Sequence, residues 1–170
     1  MKPVSCLLIC LLSCFLVLLP ACGSAPSTES PEDLGRAVAK MLRDNDQKAF
    51  MDQAFLGEQD LDCLASQDDQ EIKDDAAELR GGKLHKMRVD GNRDWVKTRK
   101  KGTDQGVDWS QVEYQGVHYN VEQYKGLSHG DIYLVLKDGD KLWEVRIDDC
   151  IKCGDRWFTI DSLRFEGPAE

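Results

Sequence analysis

A short turn signal near the C-terminus constrains the fold of this chain more than any other feature. In "DIYLVLKDGDKLWEVRI", the pair Asp138-Gly139 is typical of a two-residue β-hairpin turn. Alternate residues on both sides of it are apolar: Ile132, Leu134, Leu136, Trp143, Val145 and Ile147. Pairing Lys137 with Asp140 sets Leu134 opposite Trp143, so that both apolar sets share one face. The sequence therefore predicts a half-buried antiparallel sheet.

Two further strands are predicted around this hairpin. In "VEYQGVHYNV", starting at Val112, the apolar positions change face at Gly116, which indicates a β-bulge and a strongly curved sheet. The last strand lies in "RWFTIDSLRFEG", from Arg156. A three-residue connection at residues 154–156 sets Val145 opposite Phe165, whereas a two-residue turn sets Val145 opposite Arg164; the apolar pairing favours the first. The result is a four-stranded antiparallel meander.

The first half of the chain carries helical patterns. "SPED" supplies Ser30 as an N-cap and Pro31 at the first helical position. A second helix is predicted from Asp46 to a stop at Gly57, and a third from about Gln67 to Gly81-Gly82. A fourth starts at an Asp90 or Asn92 cap and buries Trp95 and Val96. The sequence thus predicts one α+β domain over residues 31–167, with helices packed on the curved four-stranded sheet and a tail at 168–170.

The N-terminus has the pattern of a signal peptide. Lys2 precedes an apolar run from Val4 to Leu19, which is shorter than a membrane-spanning helix requires. The segment "LPAC" that ends at Cys22 resembles the lipobox of bacterial lipoproteins, in which the cysteine becomes the acylated first residue. The resemblance implies a signal peptide at 1–21, a tether at 22–30, and lipid anchoring at Cys22, with acyl chains such as palmitate. Ordinary cleavage near Ala25, with loss of Cys22, is the alternative.

Charge and the predicted export restrict the partners. The chain has 22 basic and 31 acidic residues and a net charge of −9, which makes nucleic acid an unfavourable partner. Removal of the leader takes away one base, Lys2, and no acid. A lipid anchor on an exported chain places the protein in the bacterial cell envelope, facing the periplasm or the exterior.

Three cysteines remain after the leader and Cys22: Cys63, Cys150 and Cys153. On a regular strand Cys150 and Cys153 point to opposite faces about 10 Å apart, beyond the roughly 4.4–6.8 Å between Cα atoms that a disulfide tolerates. No helix follows them to lower the pKa of a dithiol. A tetrahedral zinc site needs four ligands, and this pair supplies only two. Alternation along the strand puts Cys153 on the core face of Ile147, toward the helices, so we expect a disulfide from Cys63 to Cys153, or alternatively to Cys150, and neither metal nor cofactor.

The order of helices and strands, with the ending "DIYLVLKDGDKLWEVRIDDC…GDRWFTIDSLR", resembles the nuclear transport factor 2-like (cystatin-like α+β) superfamily. It is similar in particular to small bacterial lipoproteins of this kind. The resemblance covers about residues 31–167 and carries no diagnostic catalytic motif. It implies a cone-shaped pocket on the concave side of the sheet, and many functions share this fold.

Two functions are compatible with these patterns. Alternation along the third strand places Asp149 toward the core beside Asp161, with His118 near the same pocket; a small isomerase- or hydrolase-like enzyme would use such a carboxylate pair. The favoured hypothesis is a non-catalytic module that binds an apolar small molecule or an envelope protein against the apolar sheet face. Helices carrying Leu34 and Phe50 would abolish that pocket if they filled it. The acidic residues between Asp60 and Asp75 are predicted to form a solvated helical face.

Overall fold

The computed structural model describes residues 27–169. Its helices are α1 (Pro31–Asp44), α2 (Gln47–Ala49), α3 (Glu58–Ala65), α4 (Gln70–Glu78) and α5 (Leu84–Asp104), with π-helical turns at Phe50–Ala54 and Leu79–Lys83 and a 3-10 turn at Trp109–Gln111. Its strands are β1 (Glu113–Tyr124), β2 (Leu127–Asp138), β3 (Lys141–Cys153), β4 (Arg156–Thr159) and β5 (Leu163–Pro168). The sheet is antiparallel in the order β1-β2-β3-β4, and β5 also pairs with β3. The predicted α+β class, with helices followed by a curved antiparallel sheet, is confirmed.

The central hairpin has the predicted faces but a different register. Asp138 pairs with Lys141, so that the turn residues are Gly139 and Asp140, and Gly139 has φ 59°. Leu134 consequently lies opposite Val145, not Trp143 as predicted. The difference is a shift of two residues, which leaves every side chain on its predicted face because alternation repeats every two residues.

The last predicted strand is divided into two. Cys153 pairs with Arg156 across a two-residue turn, so the predicted three-residue connection is wrong. The chain then leaves the sheet between Thr159 and Leu163 and rejoins it in β5, where Val145 lies opposite Phe165 as predicted. The predicted bulge at Gly116 is confirmed, because the β1–β2 register shifts between Tyr114 and Gly116.

A second bulge, not predicted, lies in the middle of β3. Asp148 and Asp149 together oppose the single residue Asp131 of β2, and Asp149 has φ 46°. The extra residue reverses the alternation, so that Cys150, which is buried, continues the side of Ile147. Ile151 and Cys153 therefore face the other side of the sheet. The prediction that Asp149 and Cys153 share the face of Ile147 is wrong for this reason.

Several helix boundaries also differ from the predictions. Gly57 is the N-cap of α3, a helix that was not predicted. Its N–H donates to the carboxylate of Asp60 at 2.8 Å. Gly82, with φ 119°, breaks the helical path, but α5 starts directly afterwards at Leu84 and not near Asn92. Trp95 is buried as predicted, whereas Val96 is 57% exposed, so that part of the prediction is wrong.

The concave face of the sheet is filled by helices. Leu34 and Val38 of α1, together with Phe50 and Phe55, are fully or almost fully buried in one cluster with the sheet residues Ile132, Leu134, Trp143, Val145, Ile147, Leu163 and Phe165. A Cβ atom at Gly35 would lie 2.3 Å from Val117 Cγ1, which shows how closely α1 approaches β1. The predicted pocket on this face is therefore closed, and the alternative that helices fill it is correct.

Residues before the predicted domain boundary at Pro31 already contact the domain. Thr28 is buried, and its carbonyl oxygen accepts a hydrogen bond from the Trp157 N–H at 2.7 Å. Ser30 caps α1 as predicted by accepting from the Asp33 N–H. Over residues 27–169, no helix is both long enough and apolar enough to cross a membrane.

Candidate ligand-binding groove

The reversal at the β3 bulge creates a second covered face at one end of the sheet. Glu122, His129, Ile151 and Phe158 are successive register partners across β1, β2, β3 and β4, so their side chains share that face. Cys153, two residues after Ile151, lies on the same face and is bonded to Cys63 of α3. Helices α3 and α4 therefore cover the side of the sheet opposite to α1.

This cover does not close completely on the sheet. A groove with a volume of about 490 Å³ lies between the helices and the sheet. It is defined here by the apolar residues Leu64, Ile72, Leu79, Met87, Leu127 and Ile151 and by the polar residues Asp75, Lys83, Glu122, Tyr124 and His129. Leu56 and Ile160 complete its lining. Leu79, Met87, Ile151 and Ile160 are only partly buried, which leaves apolar surface open to a ligand.

A disulfide and an ion pair fix the helical wall of the groove. The Sγ atoms of Cys63 and Cys153 lie 2.01 Å apart and their Cα atoms 6.0 Å apart, which joins the pair that the sequence analysis preferred. Lys125, in the β1–β2 turn, contacts Glu71 near the start of α4 and lies 3.7 Å from Asp69. Both contacts attach the α3–α4 unit to the sheet.

Cys150 is a buried free thiol on the face of Ile147. Its Sγ–H donates to the Ile147 carbonyl oxygen at 3.4 Å, and burial raises its pKa well above the usual range of a thiol. A thiol in this state is a poor nucleophile, since the thiolate is the reactive form.

The carboxylates predicted as catalytic candidates are close together but open to water. The Asp149 side chain is 48% exposed and its carboxylate lies 3.3 Å from His129 Nε2, while Asp161 is about equally exposed. Burial, followed by the charge of Asp149, raises the pKa of Asp161. His118 lies apart from both, stacked on Tyr133 with ring centroids 4.7 Å apart and 2.8 Å from Glu144. The structure thus assembles two of the three predicted residues, and neither is enclosed.

Asp148 is a buried carboxylate that the sequence did not predict. It is 2% exposed, accepts a hydrogen bond from the Ser162 hydroxyl at 2.5 Å, and forms ion pairs with Arg146 and with Arg164, whose Nε lies 2.5 Å from an Asp148 carboxylate oxygen. Burial raises its pKa, while Ser162 and the two arginines act in the opposite direction. Arg146 and Arg164 are direct register partners on β3 and β5, so Asp148 separates two like charges. Its contacts with three side chains make it a structural residue of the sheet.

The acidic run of α3 and α4 is mostly, but not entirely, a solvated face. Asp60 is buried, where it contacts Arg156 and accepts the Gly57 N–H, so the prediction is wrong for this residue. Arg156 also donates to the Gln53 carbonyl oxygen at 2.8 Å. Asp60 therefore ties the start of α3 to β4, next to the groove.

Within residues 27–169, no group of three or more His, Cys, Asp or Glu side chains is placed to hold a metal ion. Comparisons of the chain with protein-family models, with curated proteins and with solved structures find no match. Cys22 and the predicted signal peptide lie outside the residues that the structure describes.

Proposed function

We propose that this protein is a non-catalytic binding module that takes up an apolar small molecule in the groove, and that acyl chains on Cys22 tether it to the bacterial cell envelope. The observation that carries the binding part is the groove itself. Its volume of about 490 Å³ lies in the range of about 300–1,000 Å³ typical of small-molecule sites. Eight apolar side chains line it, whereas the concave face of the same sheet is filled.

The position of the polar groups supports binding more than catalysis. The apolar residues of the groove lie on the sheet and on the facing helices, and the polar residues Asp75, Lys83 and Glu122 are solvent-exposed. An apolar ligand body would remove the open surface of Leu79 and Ile151 from water, at about 25 cal/mol for each Å² buried. The half-exposed Asp149 and Asp161 are not enclosed, and His118, the third residue predicted for this site, lies apart from them. We also propose that the chain is related to the nuclear transport factor 2-like lipoproteins that its sequence resembles.

The groove is tested by blocking it with a charge. Met87→Arg places a guanidinium in the groove from α5, and we expect it to weaken the binding of an apolar fluorescent probe such as a naphthalene sulfonate dye at least ten-fold. Val96→Arg is the matched control, since Val96 lies on the same helix, is exposed and does not line the groove. Titration of both variants with the probe gives the two affinities.

Equal probe affinity for the Met87→Arg variant, the Val96→Arg variant and the unmodified protein would show that the groove is not the binding site. Thermal denaturation of each variant accompanies the titrations. It separates a blocked groove from a loss of folding.

A further inference from the structure

Two of the three Asp, Glu, Lys and Arg residues that line the groove are carboxylates. Asp75 on α4 and Glu122 on β1 both line it, and neither forms an ion pair within the described part of the chain. Lys83, which also lines the groove, lies 3.2 Å from Glu78, and Lys125 contacts Glu71. The two carboxylates are therefore the charges left free to meet a ligand.

On the sheet side of the groove, a further carboxylate contacts the lining residue His129. Glu122 is the register partner of His129, and His129 Nε2 lies 3.3 Å from the half-exposed carboxylate of Asp149. An anionic head group placed beside Glu122 would meet an unpaired carboxylate, while a cationic head group would be attracted. An uncharged head group would gain no such attraction.

We propose that the groove selects amphiphiles with a cationic head group, whose apolar tail occupies the groove and whose charge lies beside Asp75 and Glu122. This inference rests on the proposed function, because it assigns the ligand class of the same groove. The occupant is a single-tailed cation; an uncharged or anionic amphiphile is an alternative that the experiment below decides.

Three detergents with the same dodecyl tail and different heads test the selection: dodecyltrimethylammonium, dodecyl maltoside and dodecyl sulfate, each below its critical micelle concentration. Titration calorimetry on the unmodified protein measures each affinity. We expect the cationic detergent to bind roughly three- to ten-fold more tightly than the maltoside, because one or two partly exposed ion pairs contribute about this much affinity. Dodecyl sulfate is expected to bind most weakly.

Two variants with the same change in net charge locate the effect. Asp75→Asn with Glu122→Gln removes both carboxylates of the groove and should abolish the preference while leaving the affinity for dodecyl maltoside unchanged. Asp140→Asn with Glu113→Gln removes two exposed carboxylates at the opposite end of the sheet and should leave the preference intact. This control separates the groove from the overall acidity of the protein.

The outcomes separate this inference from the proposed function. Equal affinity for all three detergents overturns the cationic selection. So does a preference that the groove variant retains, or one that both variants lose. In each of these cases the apolar groove still stands as the binding site. Failure of all three to bind, or binding that Met87→Arg leaves unchanged, overturns the proposed function and the inference together.

Discussion

Asp148 is a carboxylate buried between two arginines on neighbouring strands. Asp148→Asn removes the charge that separates Arg146 from Arg164, and we expect it to lower the free energy of unfolding by about 1.5–3 kcal/mol, because both arginines lose the carboxylate that they share. Asp161→Asn is the control: Asp161 is half exposed and lies 3.8 Å from Arg164. That change should cost less than about 1 kcal/mol. Urea denaturation near neutral pH measures both.

An equal loss of stability in the two variants would mean that Asp148 is not the residue that holds the cluster.

The importance of Asp148 could not be read from alternation, because the bulge beside it falls on aspartates. The bulge at Gly116 was predictable since glycine marks such sites. Asp149 adopts positive φ, which aspartate tolerates more readily than most residues, without a distinctive sequence signal.

The connection from α4 to α5 depends on one backbone conformation at Gly82. Its φ of 119° is strained for any residue with a side chain, and a Cβ atom there would meet no neighbour within 4 Å. Gly82→Ala should therefore destabilise the protein through the backbone alone, by roughly 1–2 kcal/mol. Gly81 also has open space and lacks positive φ. Gly81→Ala should be neutral or stabilising by up to about 1 kcal/mol.

Thermal unfolding of the two alanine variants measures this difference, and the same destabilisation in both would contradict it.

At the scale of helices and strands, the sequence predicts elements better than their connections. Alternation identified β2 and β3, yet it could not distinguish registers that differ by two residues, because both give the same faces. Glycine marked a break at Gly82 correctly, but it could not show that another helix follows immediately, or that Gly57 starts a helix.

At the scale of the whole molecule, the prediction to test is lipid anchoring at Cys22. If the leader is processed at this residue, Cys22→Ala should release the protein from the membrane fraction into the soluble fraction, because the acyl chains supply the membrane affinity. Fractionation of cells that express either form, followed by immunoblotting, makes the comparison. Retention of the variant in the membrane fraction with its leader removed would contradict lipid anchoring.

The fold class was predictable because helical patterns and strand alternation occupy separate halves of the chain. The position of the candidate site was not. Parity along β3 located the pocket on the face of Val145 and Ile147, where helices fill the space. The groove instead uses Ile151, which the bulge turns to the opposite face. The Cys63–Cys153 pair was selected correctly, although the parity argument for it assumed an unbroken strand.

The bulge at Asp148 and Asp149 lets a single strand contribute to two hydrophobic layers. Residues before it, such as Val145, pack toward α1, while Ile151 and Cys153 pack toward α3 and α4. The number of residues in β3, as well as their identity, thus determines which layer each side chain enters. For a lineage that carries this fold, one codon gained or lost between Ile147 and Cys150 would exchange the inner and outer positions of every residue up to the disulfide. A single substitution cannot produce this exchange, because it leaves the number of residues in the strand unchanged.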